Sequence, residues 1–251
     1  MSKFATYPSL TGQTAIVTGG AAGIGEATVI ALAEQGTNVG IVDIDVEAGT
    51  RLAAKLGDNV HFEACDLKDI VALETAFENI AQKLGAPTIL VNNAAQDDRH
   101  FIEDVTPEYF DDRIAVNLRH YFFAIKAVKA GMKKAGGGSI INLSSTSWME
   151  GTDALPVYAT AKAACHGMTR AMRHSLGADN IRVNTVVPGW VMTERQKELW
   201  VSEEGLKGRL EMQSLKTLIQ PDDLARMILF LASDDAAMCT GQMFMVEGGV
   251  V

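Results

Sequence analysis

The sequence predicts one α/β domain: a doubly wound, mostly parallel sheet of seven strands with helices on both faces. Three observations predict it. Short apolar runs alternate with helix-like segments from one end of the chain to the other. The apolar runs are nearly continuous, as expected of strands covered on both faces. A glycine cluster stands where the first run gives way to the first helical segment. With 251 residues, 47% of them hydrophobic, the chain can bury one large core. No internal repeat, low-complexity tract or linker divides it, so residues 1–251 read as a single domain.

The elements follow in order. Thr14–Thr18 is a short apolar strand that breaks into glycines, and Ile24–Gln35 is a helix stopped by Gly36. Asn38–Ile44 is strand-like through Asp43, and Val46–Leu56 is helical with Gly57 as its stop. Val60–Cys65 is a strand leading to Asp66. Lys68–Leu84 is a helix closed by Gly85 and Pro87. Thr88–Val91 leads into Asn92-Asn93-Ala94-Ala95, and Pro107–Lys134 reads as one long helix ending at Gly136-Gly137-Gly138. Ser139–Leu143 is the next strand, Leu155–Leu176 a helix, and Ile181–Val187 a strand ending at Pro188-Gly189. Residues Trp190–Leu218 are more polar and rich in Met and Glu. They interrupt the alternation and are expected to form a lid, because ligands of such sheets bind beyond the carboxyl ends of the strands. A helix, Pro221–Ala232, and a strand, Met243–Val246, complete the series.

The net charge of −9 offers no basic surface for nucleic acid or an anionic membrane. Cys65, Cys165 and Cys239 are odd in number and widely spaced, which suits buried thiols rather than a disulfide framework or a zinc site, and no metal is expected. Met1 to Leu10 lacks the pattern of a secretory leader, and no apolar run approaches membrane-spanning length. A cytoplasmic protein is expected.

The chemistry-bearing residues fall at strand ends. Gly19, Gly23 and Gly25, with Ala22 and Ile24 between them, form a turn in which backbone can approach phosphates at a helix N-terminus. Asp43 closes the second strand, where an acid accepts hydrogen bonds from an adenosine ribose and repels a 2′-phosphate. No Lys or Arg occurs among Gly20, Ala21, Ala22, Ile44 and Asp45 to offset that repulsion, so NAD is the expected cofactor. Asp66, with Leu67 beside it, can cap the following helix or meet the adenine edge; Asn93 can serve either loop backbone or cofactor.

Tyr158 and Lys162 are one helical turn apart and share a helix face, with Ser145 earlier in the chain. About one tyrosine in a thousand is ionised at neutral pH. A neighbouring ammonium favours the phenolate, which makes Tyr158 a candidate general base for a hydroxyl proton.

Together these segments resemble the short-chain dehydrogenase/reductase family over the whole chain. Thr18–Gly25 matches its cofactor turn. Asn92-Asn93-Ala94-Ala95 matches its Asn-Asn-Ala-Gly segment, with Ala95 in place of glycine, and Ala161 replaces a frequent serine. The resemblance implies a catalytic tetrad of Asn117, Ser145, Tyr158 and Lys162. Ser145 would hydrogen-bond the reacting oxygen, and Lys162 would lower the Tyr158 pKa and bind the nicotinamide ribose. Asn117 would hold a water linking Lys162 to solvent. Ser144, one residue off the expected spacing, takes a structural role. Pro188, Gly189, Val191 and Thr193 would hold the nicotinamide carboxamide. A homotetramer paired through the two long helices is also implied.

A closer resemblance, to pentose 1-dehydrogenases acting on D-xylose or L-arabinose, rests on Tyr7-Pro8-Ser9-Leu10, Asp97-Asp98-Arg99-His100, Asn117-Leu118-Arg119-His120, Ser147-Trp148, Arg195-Gln196, Leu229–Ala236 and Cys239-Thr240-Gly241. It implies oxidation of an aldopentose at C1 to the lactone. Ser147, Trp148, Glu150, Trp190 and Arg195 join Ser145 and Tyr158 as candidate sugar contacts, since aromatic faces stack on C–H faces and charged groups bind hydroxyls. Asp97, Asp98 and His100 are expected to form a hydrogen-bonded loop. The alternatives are another carbohydrate, such as a deoxyhexose or a 2-keto-3-deoxy sugar acid, and a non-catalytic dinucleotide-binding regulator.

Overall fold

The computed structural model describes residues 4–251. Its strands are β1 Thr14–Thr18, β2 Asn38–Asp43, β3 Val60–Ala64, β4 Ile89–Asn92, β5 Gly138–Leu143, β6 Ile181–Pro188 and β7 Met243–Val246. They form one sheet in the order β3-β2-β1-β4-β5-β6-β7, with every neighbouring pair parallel. The helices are α1 Gly23–Glu34, α2 Val46–Leu56, α3 Ile70–Leu84, α4 Pro107–Ile114, α5 His120–Ala135, α6 Ser147–Glu150, α7 Pro156–Gly177, α8 Glu194–Leu199, α9 Glu203–Met212 and α10 Pro221–Ala232.

The strands are apolar on both sides because each side has its own core. Ala15, Val17, Val91 and Ile141 pack with Val29 and Leu32 of α1 and Leu224 and Ile228 of α10. Their alternating neighbours Ile16, Leu90 and Ile140 pack with Leu73 and Ile80 of α3 and Ile125 and Met132 of α5. Burying each such aliphatic side chain contributes about 1.5–3 kcal/mol. Cys65 and Cys165 are buried free thiols, and Cys239 is half-buried. No described helix is long and apolar enough to cross a membrane.

The structure departs from the sequence reading in three places that bear on the site. The segment Pro107–Lys134 is not one helix: a π-helical turn at Ala115–Arg119 separates α4 from α5 and carries Asn117. Such a turn adds one residue to the helix without a Gly or Pro to mark it, so the sequence shows no break. The third helix begins at Ile70, two residues beyond the expected start, and is capped by Asp69 rather than Asp66. A short helix, α6, follows directly on the Ser145 segment. The 190–218 segment holds α8 and α9, and its ends are pinned together by a parallel bridge between Val191 and Ile219.

Candidate active site

The order of strands reverses between β1 and β4, and the glycine turn after β1 lies beside Asn93 and Ala94 after β4. Close backbone approach explains the glycines. A Cβ on Gly25 would stand 1.9 Å from the Gly19 carbonyl oxygen, and one on Gly19 would stand 2.7 Å from the Ala94 Cα. Gly19 and Gly23 also take left-handed φ values of +63° and +59°. Asn93 braces this turn: its Nδ2 donates to the Thr18 and Gly19 carbonyls at 3.0 and 2.9 Å. Its amide is thereby committed to loop backbone.

Asp43 sits at the end of β2 and accepts from the Ala21 backbone N–H at 2.9 Å and from the Asp45 N–H at 3.0 Å. The carboxylate therefore belongs physically to the glycine turn. Asp66 lies near the end of β3 and accepts from the Lys68 N–H at 3.0 Å, while Leu67 is buried in the core. Gly189 packs so closely that a Cβ would stand 2.9 Å from Glu247 Cα. Beyond it, Pro188 ends β6, Val191 is buried, and Thr193 caps α8 through the Gln196 N–H.

Tyr158 and Lys162 project from one face of α7 into the sheet end. Lys162 is only 1% exposed, and its ammonium donates to the Tyr121 hydroxyl at 2.9 Å and the Leu143 carbonyl at 2.8 Å. It lies 5.6 Å from the centre of the Tyr158 ring. Burial pushes the Lys162 pKa down to about 8, against smaller upward effects of Cys165 and Asp97. Burial also drives the Tyr158 phenol well above its ordinary value, and the Asp97 carboxylate adds to the rise; a hydrogen bond from Ser145 and the charge of Arg99 oppose it. The tetrad spacing suggested a phenol depressed by Lys162, but in this structure depth in the protein outweighs the Ser145 hydrogen bond and the charge of Arg99.

Ser145 also accepts from the Ser147 N–H at 3.2 Å, which ties the first turn of α6 to the end of β5. Ser144 has a separate part: its hydroxyl donates to the Lys162 carbonyl at 2.7 Å and accepts from Trp148 Nε1 at 3.3 Å. Asn117 is fully buried and clamps the loop after β4. Its Oδ1 accepts from the Gln96 N–H at 2.8 Å, and its Nδ2 donates to the Gln96 carbonyl at 3.1 Å.

Residues 97–100 lie against the start of α7, which carries Tyr158. His100 is buried, donates through Nδ1 to the Asp98 carbonyl at 2.8 Å and accepts from the Val157 N–H at 3.1 Å. It thereby caps α7 one residue before Tyr158, at a helix start whose N-cap Leu155 has no capping side chain and whose Pro156 has no N–H. Asp97 and Asp98 reach the other way, to the 190–218 segment. Arg195 donates to Asp98 at 2.6 Å, and Gln196 donates to Asp97 at 2.6 Å while accepting from Trp190 Nε1 at 2.9 Å. Trp190 and Arg195 thus meet the loop after β4 through α8. Glu150 is bound to Arg209 of α9 at 2.9 Å, with both side chains largely buried. Burial raises its pKa, but hydrogen bonds from Arg209 and Thr146 and the guanidinium charge outweigh that and hold the carboxyl below its ordinary value. Ser147 and Trp148 line a groove with Ala159, Thr160 and Ala163, on a different face of α7 from Tyr158 and Lys162.

The sequence reading left out Tyr121, Gln96 and Arg209, and it gave His100 no contact with α7. None carries a local signal: each acts on a residue at least 21 positions away.

Comparison with known proteins fits this geometry. A family model described as enoyl-(acyl carrier protein) reductase matches residues 19–251. The chain belongs to the short-chain dehydrogenase/reductase family. It is 46% identical over 248 residues to D-xylose 1-dehydrogenase of Caulobacter vibrioides, covering 98% of each chain. It is 44% identical to a provisionally assigned galactose dehydrogenase of Rhizobium meliloti, covering 97% of each. A crystal structure of a provisionally assigned short-chain alcohol dehydrogenase from Sinorhizobium meliloti 1021 superposes with a TM-score of 0.91 at 31% identity, covering 97% of this chain and 98% of that one.

Membership implies a nicotinamide dinucleotide, NAD or NADP. The residues fit one. No side chain caps α1, unlike α2, α3 and α4, so its first N–H groups remain available to a phosphate. The tight Gly19–Gly25 turn brings that backbone to the sheet end, with the Asp43 carboxylate beside it as an acceptor that could serve hydroxyl groups.

Proposed function

We propose that the protein is an NAD-dependent aldose 1-dehydrogenase that oxidises an aldopentose, D-xylose or L-arabinose, at C1 to the lactone. The observation that carries this reading is the charged loop beside the start of α7. Asp97, Asp98 and Arg99 stand on the loop that His100 ties to α7 one residue before Tyr158, and Asp97 and Asp98 bind Gln196 and Arg195 of the 190–218 segment. Such a surface suits a ligand rich in hydroxyls and not an extended apolar one. The full-length similarity to D-xylose 1-dehydrogenase supports the same substrate class. The similarity to the assigned galactose dehydrogenase supports a second reading, an aldohexose oxidised by the same chemistry.

When bound, the dinucleotide supplies the two-electron acceptor for the C1 hydride. The Gly19–Gly25 turn, Asp43 and the 188–193 segment would hold it. Tyr158 is the group that takes the C1 hydroxyl proton, with Ser145 hydrogen-bonded beside it to orient the reacting oxygen. Lys162 supplies a positive charge beside the Tyr158 ring that opposes the effect of burial on the phenol. Asp43 favours NAD because its carboxylate repels a 2′-phosphate and no cation flanks it in the turn. The chain is further proposed to act in the cytoplasm as a homotetramer; light scattering at micromolar concentration checks the assembly, and a monomer would overturn it.

Absorbance of NADH on mixing protein, NAD or NADP, and a panel of sugars tests the activity. The expected result is rapid NADH formation with D-xylose or L-arabinose and none with 1,5-anhydroxylitol, which lacks the anomeric hydroxyl. Reduction only with a sugar acid or an ordinary secondary alcohol would refute oxidation at C1.

A further inference from the structure

The buried ammonium of Lys162 has a partner that no motif predicts. Tyr121, on the first turn of α5, is 0% exposed. Its hydroxyl donates to the Leu143 carbonyl at 3.1 Å and accepts from Lys162 Nζ at 2.9 Å, while Nζ also donates to the same carbonyl at 2.8 Å. Three groups from α5, α7 and the end of β5 close a triangle. The Tyr121 ring centre is 4.9 Å from Nζ, closer than the 5.6 Å to the Tyr158 ring. An ammonium has three N–H donors, and the triangle occupies two of them. The Leu143 carbonyl also takes the hydroxyl proton of Tyr121, which leaves a lone pair of that oxygen for the lysine.

We propose that Tyr121 is a positioning residue of the reaction: its hydroxyl fixes the direction of the Lys162 ammonium and stabilises its charge, so that the remaining N–H serves the reacting end of the site. The inference rests on Tyr158 and Lys162 acting as base and partner. Tyr121 itself touches no reacting atom.

The surroundings make this partner consequential. The groups facing Lys162 are Tyr121 and His120 from α5, Tyr158 and Cys165 from its own helix, and Asp97 from the loop after β4. Burial holds His120 neutral and Cys165 as the thiol, and it pushes the Tyr121 pKa far upward, so Tyr121 remains a neutral hydroxyl. Apart from the more distant Asp97, the charge of Lys162 is therefore offset by dipoles, and the Tyr121 oxygen is one of the two in contact with it. Without it, the lysine loses its proton more readily and supports the phenolate less.

Tyr121→Phe keeps the ring, its burial and its edge contact with His120 at 4.6 Å, and removes only the oxygen. The pH profile of kcat/KM, measured with the sugar and cofactor found active in the panel, reads the effect. The limb that reports Lys162 is expected to move down and the limb that reports Tyr158 to move up, by about one pH unit. At pH 7, kcat is expected to fall roughly ten- to a hundredfold, the scale of one hydrogen bond to a buried charge. An unchanged profile with kcat within twofold of wild type would overturn the proposal. A merely structural role would lower the melting temperature without moving either limb. Should Tyr121→Phe fail to fold, 3-fluorotyrosine placed at position 121 alone decides: it has nearly the same shape and a poorer acceptor, and should move the same two limbs in the same directions by a smaller amount; no movement refutes the role. An inactive Tyr158→Phe beside an unaffected Tyr121→Phe would sink this proposal and leave the base assignment standing.

Discussion

Replacing Glu150 by alanine separates a sugar contact from a strut of the lid. The carboxylate lies 2.9 Å from Arg209 Nη2, and the two side chains are 12% and 16% exposed. Fully exposed pairs contribute about 0–1 kcal/mol. Removing one member of a fully buried pair costs about 3–5 kcal/mol, because the other charge is left without compensation. This pair falls between those limits, and Arg209 Nη1 already lacks a partner among the described residues. Glu150→Ala should therefore lower stability by about 2 kcal/mol. Arg209→Leu removes the other charge, and the double variant should recover part of the loss, with a coupling energy of about 1–2 kcal/mol by urea denaturation. Kinetics then discriminate. If Glu150 acts by tying α6 to α9, either single variant raises KM by a similar factor and the double variant raises it no further. If Glu150 instead binds a sugar hydroxyl, Glu150→Ala raises KM and Arg209→Leu alone does not. Stabilities additive to within about 0.5 kcal/mol, with a KM effect confined to Glu150, would refute the strut.

Tyr158→Phe should fold and retain dinucleotide binding while kcat falls by orders of magnitude; near wild-type turnover in the purified variant would remove Tyr158 as the base. Asp43→Ala should weaken NAD and relieve the repulsion of NADP, moving the ratio of kcat/KM values toward NADP, and a wild-type protein that prefers NADP would contradict the role given to Asp43. His120 carries a stability prediction. Burial, and then the charge of Lys162, depress its pKa to about 3 in the folded chain. A depressed folded value means the stabilisation is complete above the unfolded value and is lost as pH falls toward the folded one. Between about pH 6 and pH 4 this single group should remove about 1.4 kcal/mol of stability per pH unit, a slope that His120→Gln should abolish in urea titrations.

The amino-acid sequence by itself determined what depends on local pattern. Apolar runs such as Thr14–Thr18 and Ile181–Val187 specified strands buried on both faces, and the observed sheet is parallel throughout. The Gly19–Gly25 cluster and Asp43 were legible as a turn and an acid at adjacent strand ends, and the four-residue interval placed Tyr158 and Lys162 on one helix face. Only the tertiary structure decided which groups meet there. Lys162 finds Tyr121 41 residues away, Val157 is capped by His100 57 residues away, and Asp97 receives Gln196 from 99 residues away. Periodicity records which face a residue shares with its chain neighbours, and it carries nothing about the loop that another strand brings to that face. The same limit governs the Tyr158 proton. Spacing gives the sign of the nearest charge, while the depth that pushes the phenol upward belongs to the assembled sheet, helices and lid together.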